Sequence, residues 1–143
     1  MGYMAHAPLL YEEFSGMENL NFFAGLYDIA PGERMSQAMT RVGLDPTLTR
    51  RVGQYSQGMR QRLSLARAIF HGPDLLLLDE PFSNVDPDSA SAIARLLAGM
   101  RDEGKTILLV THQLGLLADV ADEFLSLSAG ALVNRGAVHQ GKA

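Results

Sequence analysis

Residues 75–81 read LLLLDEP. Four consecutive leucines fit a short strand buried on both faces, the pattern of a parallel sheet covered by helices on either side. That strand runs directly into two carboxylates, Asp79 and Glu80, and then a proline. Ionised acids are costly to remove from water unless a cation, hydrogen bonds or partial exposure compensate them. The carboxyl edge of a parallel sheet offers all three, and it is where α/β proteins bind ligands.

Working outward, the preceding residues predict a helix from Gln57 to Phe70, with Met59, Leu63, Ala66 and Phe70 on one side, broken by His71-Gly72-Pro73. On the other side, Asp86-Pro87 reads as an N-cap followed by a first-turn proline. It opens a helix with Ile93, Leu96, Leu97 and Met100 at i, i+3, i+4 and i+7. Lys105 to Thr111 is a second buried strand ending at Thr111-His112, Gln113 to Ala121 a short helix, and Phe124 to Val138 a hairpin turning at Ala129-Gly130. At the other end, MGYMAH followed by Pro8 reads as a short strand. Ser15 and Glu18 have capping-box spacing and start a helix carrying Leu20, Phe23, Ala24 and Tyr27 on one face. Met35, Ala38, Met39 and Val42 mark another helix, so the middle of the chain is a small, methionine-rich helical insert in an α/β frame.

With 143 residues, 47% hydrophobic and 20% charged, the chain is long enough for one modest core. Its apolar runs fall far short of the roughly 20 residues that cross a bilayer, and MGYMAHAPLLYEEF has no basic flank of a signal peptide. A cytoplasmic protein is the expectation. The absence of cysteine excludes disulfides and thiolate metal sites. Net charge is −4, yet residues 30–72 carry seven Arg against two acids. Such an excess can hold a polyphosphate or dock an acidic partner, or it can be an ordinary solvated helix face.

The acids have two readings. Asp79 can hold Mg²⁺, which prefers one or two carboxylates plus phosphate oxygens, and Glu80 can orient or deprotonate a water. For a DE pair alone, capping the strand and meeting nearby arginines is the simpler reading. The surrounding residues shift the balance. Tyr55-Ser56-Gln57-Gly58-Met59 places a hydroxyl, a glycine and free amides at a helix N-terminus, where anions bind. His112 ends the neighbouring strand, and Asp86 follows Glu80 by six residues. Each signal is weak; their order and spacing together are not.

YSQGMRQRLSLARA, then PDLLLLDEPFSNVDP, then TILLVTHQ resembles the nucleotide-binding domain of ATP-binding cassette (ABC) transporters: signature loop, Walker B strand with its glutamate, D-loop and H-loop. GYMAHAPLLYEEFSGMENLNFFAGLY resembles the Q-loop and the start of the helical subdomain. The resemblance implies a partial P-loop ATPase domain of α/β class: a parallel RecA-like sheet with an inserted helical subdomain. Its parts would be 1–14 (Q-loop strand region), 15–72 (helical subdomain with signature) and 73–143 (C-terminal half of the core). It implies ATP and Mg²⁺ as cofactors, Asp79 as metal ligand, Glu80 as general base and His112 as the γ-phosphate switch. Ser56, Gln57 and Gly58 would face an ATP held by a partner subunit, His6 would stand at the Q-loop position and Asp86 would act across the dimer interface. It also implies a head-to-tail dimer, membrane-embedded transporter subunits, a peripheral place on the inner face of the membrane, and no nucleic-acid partner.

Three departures stand out. Gln57 and Met59 replace a glycine and a glutamine of the commonest signature, LSGGQ; His6 stands where a glutamine is usual; and no G-x-x-x-x-G-K-[ST] occurs in the 143 residues. The last implies a C-terminal piece of the domain with negligible ATPase activity alone. A truncated module donating YSQGM in trans is a second reading. A DNA-repair type ABC ATPase is a third, set against by the lack of sustained heptads. Among transporters, GYMAH, ENLNFFAGLY and YSQGM resemble the haem-exporter ATPase of cytochrome c biogenesis, with drug and ABC-2 exporters the near alternatives.

Overall fold

A computed structural model of the chain describes residues 1–138. The leucine strand, β2 (Leu75–Asp79), is the centre of a three-stranded parallel sheet between β1 (Gly2–Met4) and β3 (Thr106–Val110). Met4 pairs with Leu78, and Asp79 with Val110, so the three carboxyl ends finish on one edge. The fold class read from the sequence is the one observed.

Burial on both faces is not. Leu76 and Leu78 are 0% and 2% exposed, whereas Leu75, Leu108 and Val110 are 36%, 57% and 57% exposed. Side chains alternate across a strand, and the two long helices, α3 (Gln57–Ile69) and α4 (Pro87–Asp102), pack their apolar sides into the same core as Met4, Leu76 and Leu78. Among the described residues nothing buries Tyr3, Leu108 and Val110 on the opposite face. Gly2 shows how closely α3 approaches: a Cβ there would lie 2.1 Å from the Ala68 carbonyl oxygen.

The helical insert closes on itself. In α1 (Gly16–Leu26), Ser15 Oγ accepts from the Glu18 amide and the Glu18 carboxylate accepts from the Ser15 amide, completing the capping box. Leu20 and Ala24 point into the core with Met35 and Met39 of α2 (Glu33–Arg41) and Leu63 and Ala66 of α3, all fully buried. Gly16 allows this contact, because a Cβ would come within 2.8 Å of Tyr55 Oη and 2.9 Å of Met39 Cε. Tyr27 departs from its expected core face. The helix ends at Leu26, and Tyr27 becomes the cap residue, half-exposed and stacked on His71 at 4.5 Å.

After β3, a 3₁₀ turn at Leu114–Leu116 and the four-residue α5 (Leu117–Val120) replace the single helix expected at Gln113–Ala121. The hairpin of β4 (Glu123–Ser128) and β5 (Ala131–Ala137) is a separate antiparallel sheet. Its turn residues Ala129 and Gly130 have φ of 48° and 78°, the two positive values a type I′ turn requires.

Candidate functional site

Register places Asp79 at the carboxyl end of β2, and His6, Glu80 and Thr111-His112 just beyond the carboxyl ends of β1, β2 and β3. The chain turns sharply after Asp79, and Glu80 adopts φ 52°, the left-handed region a side-chain-bearing residue rarely occupies. Its backbone is tied from both sides. Its amide donates to the Val110 carbonyl at 2.8 Å, and its carbonyl accepts from Gln61 Nε2 at 2.8 Å and from the Ser83 amide at 3.1 Å. Strained backbone of this kind persists only where neighbours over-determine it.

The Glu80 carboxylate is also held. Oε2 accepts from Thr111 Oγ1 at 3.1 Å, Oε1 accepts from the His112 amide at 3.1 Å, and His112 Nε2 lies 3.4 Å from Oε1. The Glu80 side chain is 12% exposed while that of His112 is 97% exposed. So a largely buried acid sits behind an imidazole that faces open solvent. Asp79 lies one residue earlier, paired with Val110 on the uncovered side of the sheet.

The second cluster is the N-terminus of α3. Ser56 is its N-cap, with Oγ accepting from the Met59 amide at 3.1 Å, which leaves the hydroxyl proton available to a ligand. Ser56 and Gln57 are exposed and Gly58 is half-buried. A Cβ on Gly58 would meet only ordinary contact, 3.5 Å from Val85 Cγ1, so packing within the chain does not demand glycine there. One turn further along α3, Gln61 makes the bond to the Glu80 carbonyl, so the two clusters are joined through a buried amide rather than by direct contact.

Two expected members stand apart. Asp86 turns to its own helix, its carboxylate accepting from the Ser89 hydroxyl at 2.7 Å and the Ser89 amide at 2.9 Å; these bonds hold its pKa below the ordinary value. His6 is exposed and, among the described residues, its side chain makes no hydrogen bond to the others. The basic middle of the chain is largely committed as well. Arg60 pairs with Glu12 at 2.9 Å, Arg62 donates to the Gly43 and Gly58 carbonyls, and Arg41 pairs with Glu103 at 3.3 Å. Arg67 lies over the Phe23 ring at 4.9 Å, and burial lowers its pKa. These four arginines hold the helices together and do not form a free cationic face.

Among the described residues no group of three or more His, Cys, Asp or Glu is placed to hold a metal. The donor set nevertheless fits Mg²⁺, which binds through one or two carboxylates and completes its octahedron with water and phosphate oxygens. Asp79 would hold it, with Glu80 already engaged elsewhere. Sequence reasoning missed Gln61 and the contact made by Thr111. Gln61 lies between Arg60 and Arg62 in the sequence, with no local signal of its burial at 4% exposure; for Thr111 the signal was a hydroxyl at the end of an aliphatic strand.

A parallel sheet that presents acids and a histidine at its carboxyl edge, tied to a helix opening on Ser-x-Gly, defines the ATP-binding cassette class of α/β domain. The chain belongs to the ABC transporter family, whose model matches residues 1–83. It is 37% identical over 133 residues to a fluoroquinolones export ATP-binding protein of Mycobacterium tuberculosis, covering 93% of this chain and 44% of that one. It is 33% identical over 132 residues to the ABC transporter ATP-binding protein NatA of Bacillus subtilis, covering 90% and 54%. It is 35% identical over 134 residues to the bacitracin transport ATP-binding protein BcrA of Enterococcus faecalis, covering 93% and 44%. The chain thus spans about half the length of the curated relatives it matches. A dimeric ATP-binding cassette solved in a post-hydrolysis state with ADP and Pi shares the fold, with TM-score 0.84, 22% identity, and coverage of 96% of this chain and 62% of that one.

Proposed function

We propose that the chain supplies half of each kind of contact an ATP site between two cassettes needs. Ser56, Gln57 and Gly58 face the γ-phosphate of an ATP bound to a partner cassette, with the α3 N-terminus contributing free amides and a favourable dipole. Asp79 holds Mg²⁺, Glu80 orients and deprotonates the attacking water, and His112, swung out into solvent, reaches the γ-phosphate. Mg²⁺, when bound, neutralises charge developing on the phosphate oxygens. Asp86 and His6 lie at the dimer and transporter contacts. The parts run 1–14, 15–72 and 73–143, as the Q-loop region, helical subdomain and core.

The observation that supports this reading is the Gln61 bond at 2.8 Å, which ties the helix that opens at Ser56 to the Glu80 turn. The partners are a second cassette, arranged head to tail, and membrane-embedded subunits. None of the helices among the described residues is long and apolar enough to cross a membrane; the peripheral place on the inner face is supported by the family, whose members cited above are named as ATP-binding proteins. The cargo class is a drug-like or ABC-2-type export substrate; the name of the fluoroquinolones export relative supports the drug-like part, and relatives named for methionine and phosphonates import match as well. A haem exporter is the narrower reading from GYMAH and YSQGM, and no relative cited above carries that name.

A second reading, a module that donates YSQGM in trans without turning over ATP itself, is favoured by the fully formed cap at Ser56. Both are tested by titrating the chain into a full-length relative and following ATP hydrolysis. A change in rate that disappears with Ser56→Ala supports contact in trans; a rate indifferent to the chain, or a change unaffected by Ser56→Ala, contradicts it.

A further inference from the structure

The Glu80 turn leaves one degree of freedom unexplained by backbone contacts. The Glu80 amide and carbonyl are held by Val110, Gln61 and Ser83 through three hydrogen bonds. The carboxylate at the end of that side chain can still swing toward solvent, and something must choose its direction. The His112 amide is shared between the two oxygens, at 3.1 Å to Oε1 and 3.4 Å to Oε2. A shared donor does not by itself select one rotamer.

Thr111 does. Its Oγ1 accepts from the Gln113 amide at 3.0 Å, which fills one acceptor position and directs the hydroxyl proton elsewhere. That proton points to Glu80 Oε2 at 3.1 Å. Gln113 is itself anchored, its Nε2 donating to the Phe82 carbonyl at 3.0 Å. The hydroxyl is therefore an oriented donor on a fixed turn.

We propose that Thr111 is a positioning residue for Glu80: its hydroxyl, set by the Gln113 amide, locks the carboxylate against His112. This rests on the reading of Glu80 as the base, but the contact itself is tested without nucleotide. In the ¹⁵N-labelled 143-residue chain, Thr111→Val keeps the shape and removes the hydroxyl. The His112 amide, losing a fixed acceptor, is expected to shift and to exchange about tenfold faster, the scale of one hydrogen bond. Thr111→Ser restores both.

If Thr111 only closes the turn, Thr111→Val moves the Gln113 amide and leaves His112 unchanged, and the proposal is overturned. Glu80→Ala reads the same contact from the other side should Thr111→Val not fold. It is expected to shift the Thr111 ¹³Cβ resonance, and an unmoved resonance overturns the proposal. Failure in these spectra leaves the ATP-site reading standing, and failure of the Ser56-dependent ATPase test leaves this contact standing.

Discussion

The helical insert and the sheet both carry large apolar residues, yet these end up in different states. Leu20, Met35, Met39 and Leu63 of the insert are all completely buried, each inside a core drawn from three helices. On the sheet, Leu76 and Leu78 are buried as well, but Tyr3, Leu108 and Val110 remain more than half exposed. These insert residues are buried between helices in the core they share with Met4, Leu76 and Leu78, whereas the sheet buries one face only. The difference teaches where this chain's stability resides and which face is open to further contact. The site lies on the seam between the two, with Ser56 on the closed half and Asp79 on the half-open one.

The sharpest way to break this comparison is to truncate both sides. Met39→Ala or Leu63→Ala is expected to cost about 2–5 kcal/mol in urea unfolding, because the lost contacts leave a cavity. Leu108→Ala is expected to change stability by about 0.5 kcal/mol or less, as an exposed position does. Equal losses at the two positions would show that the exposed sheet face is covered in solution. A smaller effect probes how closely the insert is packed: Gly16→Ala forces a methyl against Tyr55 Oη and Met39 Cε and is expected to cost about 1–3 kcal/mol. Smaller again, Ser15→Ala removes one half of the capping box and is expected to cost about 1 kcal/mol.

The smallest effect is in pH. The Glu18 pKa is lowered by its bonds from the Ser15 amide and hydroxyl, and that of Asp86 by the Ser89 hydroxyl and amide. Both carboxylates lie lower folded than unfolded, so their contribution is complete above the unfolded values near pH 4 and is lost as pH falls through the folded ones. Glu18→Gln is therefore expected to flatten the acid limb of a stability profile slightly while leaving neutral pH nearly unaffected in slope. An acid limb identical in the variant would remove Glu18 as a source.

Much of this was legible in the chain. LLLLD and TILLV identified two parallel strands because aliphatic runs of that length fit little else, and the Ser15-Glu18 spacing located a cap to the residue. Asp86-Pro87 did the same for α4. What sequence pattern cannot supply is what lies across a face, and so the leucine run misled about burial: periodicity reports an apolar strand whether or not a cover is present. Tyr27 was misplaced for a related reason, since the helical period continues past the point where the backbone stops being helical. In the site, Glu80 and His112 were visible as residue types at strand ends, and the structure brings them within 3.4 Å. The left-handed turn at Glu80, the grip of Gln61 and the hydroxyl of Thr111 depend on contacts 19 and 31 residues apart in the chain, which no local pattern encodes.

In the proposed function these 143 residues carry the acids and the signature turn of an ATP site, and no G-x-x-x-x-G-K-[ST] phosphate loop occurs among them. ATP turnover by the isolated chain, compared with Glu80→Gln, tests that most directly. The account expects both to lie at background and to be indistinguishable. Turnover by the chain that Glu80→Gln abolishes would contradict it.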